Sequence, residues 1–142
     1  MAKVTLAHSN KIIEAGQAKG RELGIGPLTI VVLDDGGHLV AAQREDKSGI
    51  LRFEIAFGKA WGGLAIGRSS RANEADFLNR PHFGNALAST AGGRIVPAAG
   101  GVLILDDDGD VAGAVGVTGD TSDNDEACAV AGIEAAGLTP KV

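Results

Sequence analysis

The sequence has few aromatic residues, no cluster of basic residues and no long apolar run, and each absence excludes a class of protein. Aromatic residues make up 4% of the 142 residues, and the formal net charge is −5. A nucleic-acid-binding protein needs a basic surface that neutralises phosphates, commonly with aromatic rings that stack on bases. The longest apolar runs, such as residues 28–33 and 102–105, are far shorter than a membrane span. We therefore expect neither a nucleic-acid partner nor a membrane partner.

Cysteine is also nearly absent, because Cys128 is the only one in the chain. A single cysteine cannot form an internal disulfide, and no second cysteine or histidine lies at zinc-site spacing from it. Its small apolar neighbours predict a buried thiol that packs as a hydrophobic side chain. The first residues lack the long apolar stretch of a secretory signal, so we expect a cytoplasmic location.

Glycine, by contrast, is abundant. The chain has 22 glycines, and 44% of its residues are apolar, which is enough for a packed interior. The glycines occur singly or in pairs among apolar residues, a pattern that predicts tight turns and close packing of helices on a sheet. The length is typical of one domain, and we expect residues 1–142 to form a single domain.

The order of helical and strand patterns predicts an α/β protein of the α+β type. Helical patterns cover residues 6–23, 50–66, 69–79, a short segment from 81, and about 123–136. Strand patterns cover residues 28–33, 38–44, 94–96, 101–105 and 111–118. Turns rich in Asp and Gly join two pairs of these strands into hairpins, which favours an antiparallel sheet covered by helices. The predicted order is α-β-β-α-α-β-β-β-α, which counts the polar segment 69–79 and the short segment from 81 as one helical unit.

Five segments, in order over nearly the whole chain, carry a family resemblance. They are residues 31–40 (VVLDDGGHLV) followed by Arg44, residues 58–60 (GKA), 80–83 (RPHF), 97–104 (PAAGGVLI), and 113–120 (GAVGVTGD) continuing to 125–126. Together they resemble the GlcG/HbpS-like family of haem-binding proteins, also called the haem-degrading domain, to which the C-terminal domain of PduO-type proteins is related. The resemblance implies a profilin-like fold with a five-stranded antiparallel sheet between helices, assembly as a homo-oligomer, and a haem cofactor in some members.

Haem requires an apolar slot, an imidazole or soft axial ligand, and cationic groups for its propionates. His82 is our first candidate for the axial ligand. It follows Pro81 at a helix N-terminus, where the helix dipole favours the neutral imidazole that coordinates iron. Arg80 is an adjacent cation, and Trp61 and Phe83 are apolar neighbours. We expect Trp61 and His82 to meet in a recess that excludes water; the alternative is that His82 packs at a subunit interface.

Three further residues are candidates for ligand binding. His38 opens a strand just after a hairpin turn, where the alternative is a histidine satisfied by the turn backbone. Arg44 is a cation for a carboxylate. Lys59 interrupts an apolar, glycine-rich helix, and it either contacts an anion, acts as a desolvated reactive amine, or extends its ammonium to solvent. Phe53 and Phe57 continue the stripe of Trp61 on that helix, which is typical of a core or a subunit interface.

Acidic residues crowd the start of the last helix. Asp123, Asp125 and Glu126 are expected to cap exposed N–H groups, and the alternative is a weak site for a divalent or ferric ion. The same carboxylates would repel a phosphate from the glycine-rich segment 113–120. The spacing of its glycines matches neither the Walker pattern nor the dinucleotide fingerprint.

Three functions remain open at this point. The first is a homo-oligomer that binds haem, with haem degradation or sensing as its role. The second is a cofactor-free enzyme or auxiliary protein for small carboxylate metabolites, in which Arg44, Lys59, Arg80 and His82 hold and protonate an organic acid. The third is a structural oligomer without pocket chemistry. A hemin titration distinguishes the first function from the other two.

Overall fold

The computed structural model describes residues 3–142, which form five helices and a five-stranded sheet. The helices are α1 (Leu6–Leu23), α2 (Arg52–Ile66), α3 (Ser70–Asn79), α4 (Pro81–Thr90) and α5 (Ser122–Ala135). The strands are β1 (Thr29–Asp34), β2 (Leu39–Arg44), β3 (Gly101–Leu105), β4 (Val111–Thr118) and β5 (Thr139–Lys141). No helix within residues 3–142 combines the length and apolar character that crossing a bilayer requires.

The predicted α+β architecture, an antiparallel five-stranded sheet between helices, is confirmed. Every strand pair is antiparallel, and the spatial order is β2-β1-β4-β3-β5. Ile30 and Val32 of β1 join the apolar cluster with α1 and α5, whereas Val31 and Leu33 join the cluster with α2. Successive strand residues point to opposite faces, and both faces are covered, so the central strands are apolar except near their ends.

One predicted strand, at residues 94–96, is wrong, and the fifth strand is β5 near the end of the chain. Gly92 and Gly93 adopt φ values of 65° and 81°, which turn the chain after α4. The N–H of Val96 then donates to the carbonyl of Gly58 in α2 at 3.2 Å. This segment is therefore hydrogen-bonded to a helix instead of to the sheet.

The turn of the first predicted hairpin is closed by an aspartate side chain. Asp34 Oδ1 accepts hydrogen bonds from the N–H groups of Gly36 and His38, each at 2.9 Å. Asp106 closes the β3–β4 turn in the same way, with two bonds of 3.0 Å. Aspartate is favoured in turns for this reason, and the bonds fix the position at which His38 leads into β2.

Two glycines allow α2 to lie close against the sheet, as the glycine content predicts. A Cβ atom at Gly116 would lie 1.9 Å from the carbonyl oxygen of Ala56, and one at Gly101 would lie 2.2 Å from that of Lys59. Both distances are far below van der Waals contact, so no larger residue fits without movement of α2. The close approach also determines which side of α2 remains accessible.

Candidate functional site

Three aromatic side chains, Phe53, Phe57 and Trp61, lie along one side of α2. They are spaced by one helical turn, which places them on the same side of the helix. The ring centres of Phe53 and Phe57 are 6.1 Å apart, and all three side chains are half-buried. The small residues Ala56 and Ala60 are fully buried against the sheet instead. The helix thus packs through small residues and leaves its aromatic rings where a ligand can reach them.

Four shallow depressions follow this aromatic side of α2, and consecutive depressions share a wall residue. The first, about 370 Å³, extends from Arg44 to Phe53. The second, about 300 Å³, lies between Phe53 and Arg94. The third, about 220 Å³, lies between Arg94 and Trp61. The fourth, about 130 Å³, extends from Trp61 to Gly37. We call these four depressions, marked by Arg44, Phe53, Arg94, Trp61 and Gly37, the α2 groove.

Arg94 is a groove residue that the sequence did not indicate, because residues 94–96 have the pattern of a strand. Its guanidinium carbon lies 4.0 Å from the ring centre of Trp61, and its Nε donates to the Ala91 carbonyl at 2.7 Å. Within the described residues, Arg94 forms no ion pair with a carboxylate. The signal that was available is the preceding Gly92-Gly93 pair, since paired glycines commonly mark a turn.

His82 lies on the exposed surface at the start of α4. Beside it, the Arg80 guanidinium stacks over the Phe83 ring at 4.2 Å. The part of α4 that faces Trp61 presents Leu87, five residues after His82 and therefore about 140° away around the helix. Within one chain, His82 lines neither of the depressions that Trp61 lines. The recess expected from these two residues is not formed by a single chain, and an iron-binding role of His82 stays a prediction.

His38 and Arg44 lie near opposite ends of the α2 groove. His38 follows Gly37, which lines the fourth depression beside the Trp61 indole. The imidazole is 81% exposed, and its Nδ1 lies 3.3 Å from a carboxylate oxygen of Asp34. Arg44 lines the first depression, and its Nη1 donates to the Ser48 carbonyl at 2.8 Å. His38 itself lines none of the four depressions, so the structure places a guanidinium at one end of the groove and a histidine one residue beyond the other end.

Lys59 is buried away from the groove, on the side of α2 that packs on the sheet. Its Nζ donates to the Val117 carbonyl at 3.0 Å and to Asp125 at 3.2 Å, and only 4% of its side chain is exposed. Burial lowers the pKa of Lys59, and the Asp125 carboxylate offsets part of that shift. The other oxygen of Asp125 accepts from the Asp120 N–H at 2.9 Å. These contacts describe a structural ion pair, because Lys59 lines none of the depressions described above.

The acidic residues at the start of α5 are already paired with cations. Arg71 of α3 forms a hydrogen-bonded ion pair with Asp123, and its Nε lies 2.9 Å from Glu126. Within residues 3–142, no group of three or more His, Cys, Asp or Glu side chains is arranged to hold a metal ion. The cap of α5 comes from Thr121, whose hydroxyl accepts from the Asn124 N–H.

Comparisons with known proteins agree with this architecture. The fold superposes on the crystal structure of a complex of PduOC with haem, with a TM-score of 0.84 over 96% of both chains at 20% identity. It also superposes on protein ORFY of Klebsiella pneumoniae, with a TM-score of 0.85 over 94% of this chain and 90% of that chain at 25% identity. At 20% identity, the first likeness shows a shared fold and nothing more.

Two sequence comparisons show family membership in addition to a shared fold. A 15.0 kDa protein encoded in the dhaT–dhaS intergenic region of Citrobacter freundii is 31% identical over 125 residues, covering 88% of this chain and 86% of the relative. The family model described as haem-degrading protein HbpS-like matches residues 4–134. A match over that span, which takes in the whole groove and every strand except β5, shows that the chain belongs to the HbpS-like family of haem-degrading proteins.

Proposed function

We propose that this protein binds haem in the α2 groove. The observation that carries the proposal is the continuous wall of Phe53, Phe57 and Trp61, which faces four adjoining depressions with arginines on their rims. Small-molecule sites are mostly apolar with a few well-placed polar groups, and this groove has that composition. Support comes from the family match and from the related fold of PduOC, which is described in complex with haem.

The residues of the groove fit the chemical groups of haem. The aromatic rings of α2 suit the flat macrocycle, and the guanidinium groups of Arg44 and Arg94 suit its propionates. When bound, haem supplies an iron that accepts an imidazole nitrogen. Of the three histidines in the chain, His38 is adjacent in sequence to a groove residue, since it follows Gly37. We therefore propose His38 as the first candidate to hold the iron, ahead of His82, whose neighbours in sequence line none of the four depressions.

Hemin titration tests the groove. Addition of hemin to the purified protein should shift the Soret band and saturate at a fixed ratio to protein. Phe57→Ala removes part of the aromatic wall, and we expect it to weaken hemin binding about tenfold, or about 1.4 kcal/mol. Leu78→Ala is the matched control, because Leu78 is 77% exposed on α3 and lines none of the four depressions. A wild-type spectrum identical to that of free hemin would refute the proposal.

The identity of the iron ligand has its own test. His38→Ala should change the Soret and visible bands of the bound complex, because the iron loses its imidazole. His8→Ala is the control, since His8 lies on α1, across the sheet from the groove. If His82→Ala changes the bands and His38→Ala does not, the assignment of His38 is wrong.

We also propose that a second copy of the chain covers the open side of the groove. Ile50 and Leu51 next to the first depression are 88% and 63% exposed, which is unusual for adjacent large apolar side chains. The neighbouring strand β2 is an edge strand without proline, whereas the other edge strand, β5, contains Pro140. Proline and short length protect an edge from pairing, so β2 is the edge available to another copy.

Light scattering coupled to size exclusion tests this assembly. The wild-type protein should elute as a homo-oligomer, and Ile50→Asp should shift it toward the monomer, because a buried unpaired carboxylate is costly at an interface. Leu78→Asp places the same charge on an exposed leucine away from the groove and should leave the oligomer intact. A monomeric wild-type protein would contradict the proposal.

A small organic acid is a second candidate ligand, favoured by the polar side of the first depression. Arg44 lines it together with Thr29 and Phe53, which gives one cation beside an apolar wall, whereas the side-chain amide of Gln43 accepts a hydrogen bond from Gln17 of α1. A ligand that binds only the folded state raises the melting temperature. A thermal-shift panel of small carboxylic acids should then show stabilisation that Arg44→Gln removes; no shift across the panel would eliminate this candidate.

A further inference from the structure

We propose that Arg94 binds a carboxylate of the groove ligand and thereby selects planar apolar molecules that carry an acid group. The inference rests on the proposed function and adds to it the residue that distinguishes an acidic ligand from its neutral ester. The observation behind it is a guanidinium that is held in place on an aromatic ring and has no acidic partner within the described residues.

The position of Arg94 is set before any ligand arrives. The positive φ values of Gly92 and Gly93 direct the chain back toward α2. The guanidinium then stacks on Trp61 at 4.0 Å, and Nε donates to the Ala91 carbonyl at 2.7 Å. Stacking and one hydrogen bond restrict a side chain that is otherwise costly to immobilise. An anion that binds Arg94 therefore meets a group that is already ordered.

The donors that remain on Arg94 suit a carboxylate. Nε is engaged with the backbone, and the structure gives the two terminal nitrogens no partner among the described residues. A planar guanidinium binds a carboxylate through parallel N–H···O bonds, an arrangement that the single ammonium of a lysine cannot reproduce. Because the side chain is exposed, we expect the gain to lie at the lower end of charge-assisted hydrogen bonds.

The location of Arg94 links this charge to the apolar wall. It lines both the second and the third depression, with Phe57 on one side and Trp61 on the other. A carboxylate on Arg94 would therefore leave the rest of a flat molecule on the aromatic rings. Glu54 also lines the second depression, so its negative charge favours the side of Arg94 that faces the third depression as the place for the acid group.

Arg80 is the alternative residue for binding the carboxylate, because the sequence predicts it as a cation near the ligand. It stacks on Phe83 at 4.2 Å, much as Arg94 stacks on Trp61, but it lines none of the four depressions. Arg21 in the last turn of α1 is an exposed arginine away from the groove. Arg80→Gln and Arg21→Gln therefore remove the same charge as Arg94→Gln without touching the groove.

The test compares hemin with hemin dimethyl ester, whose propionates are neutral. Trp61 is the only tryptophan, so quenching of its fluorescence measures the binding of either compound independently of the iron spectrum, and the variants assign the binding to the groove. The wild-type protein should bind hemin about tenfold more tightly than the ester, which corresponds to about 1.4 kcal/mol. Arg94→Gln should weaken hemin binding, leave ester binding unchanged and lower the affinity ratio toward one, with any remaining preference due to Arg44, whereas Arg80→Gln and Arg21→Gln should preserve the wild-type ratio.

The possible failures are distinct. If neither compound quenches Trp61 or shifts the Soret band, the proposed haem function is wrong, and so is the proposed role of Arg94. If the wild-type protein binds both compounds equally well, haem binding stands and the role of Arg94 is refuted. If Arg94→Gln weakens both compounds equally, Arg94 shapes the groove wall without binding the acid. Loss of the ratio in Arg80→Gln instead would assign carboxylate binding to Arg80.

Discussion

At the scale of single residues, Cys128 illustrates how burial determines chemistry. Its side chain is fully buried in the cluster between α5, α1 and the sheet, as its small apolar neighbours predict. Burial raises the pKa of the thiol to about 11, and the nearby Asp125 carboxylate acts in the same direction. Since the thiolate is the reactive form, this cysteine is protected both by access and by protonation.

We expect Cys128 to be unreactive toward a thiol reagent such as DTNB at pH 8 in the native protein. Because it is the only cysteine, the absorbance change reports this residue alone. In guanidinium chloride the thiol becomes exposed and its pKa returns to the ordinary range, so one thiol per chain should then react within seconds to minutes. Rapid stoichiometric labelling of the native protein would contradict the burial.

The positions of site residues could be predicted from the sequence where a local pattern determines them. They could not be predicted where the packing of distant segments determines them. The spacing of Phe53, Phe57 and Trp61 alone places them on one side of a helix, and the structure agrees. The direction of His82 depends on which side of α4 packs against α2, and its own neighbours do not specify that side. Arg94 was missed for a related reason, since residues 94–96 were predicted as a strand, whereas the turn at Gly92 and Gly93 directs Arg94 to Trp61.

At the scale of elements, the contact between α2 and β4 depends on one absent side chain. A Cβ at Gly116 would lie 1.9 Å from the carbonyl oxygen of Ala56 and 3.2 Å from the Ala60 side chain. The obstacle is helix backbone, which cannot move aside as a flexible side chain can. Any residue larger than glycine must therefore push α2 away from the sheet.

We expect Gly116→Ala to lower the free energy of unfolding by about 3 kcal/mol or more, at the upper end of overpacking effects. Gly26→Ala is the matched control, because a Cβ there meets nothing within 4 Å and the backbone needs no positive φ. That control should change stability by less than about 0.5 kcal/mol. Urea denaturation followed by far-ultraviolet circular dichroism measures both. Equal stability of the two variants would refute the close contact.

Helices and strands whose ends are marked by capping residues or glycines were predicted well. The errors occur where contacts with distant residues determine the local structure. Thr5 and Gly24 delimit α1 as expected, with the Thr5 hydroxyl accepting from the His8 N–H. The short apolar segment 94–96 reads as a strand by composition, but two glycines and the bond to α2 remove it from the sheet. Pro140 reads as a helix stop, and it lies in β5 because an edge strand tolerates a missing N–H.

At the scale of the whole molecule, the sheet separates two helical layers that meet at one buried ion pair. α2 lies on one face of the sheet and α5 on the other. Lys59 passes the sheet near Gly100, donates to Val117 of β4 and reaches Asp125 of α5 at 3.2 Å. The general layout was predictable from hairpins and helices, but this contact joins residues 66 positions apart, and no local pattern reveals it.

The ion pair between Lys59 and Asp125 should therefore be strongly coupled energetically. Lys59→Met leaves the Asp125 carboxylate buried without its cation, and we expect a loss of about 3–5 kcal/mol in the free energy of unfolding. Asp125→Asn should also destabilise, because Lys59 loses the counter-ion that offsets the burial of its ammonium. In the double variant neither isolated charge remains, so its destabilisation should be smaller than the sum of the single effects by about 2 kcal/mol.

The comparison is Arg71→Met, which removes a half-exposed guanidinium from its pairs with Asp123 and Glu126 and should cost less than about 1 kcal/mol. Urea denaturation of all four variants gives these values. Additive single effects, or a Lys59 variant as stable as the Arg71 variant, would mean that the two helical layers are held together by apolar packing alone.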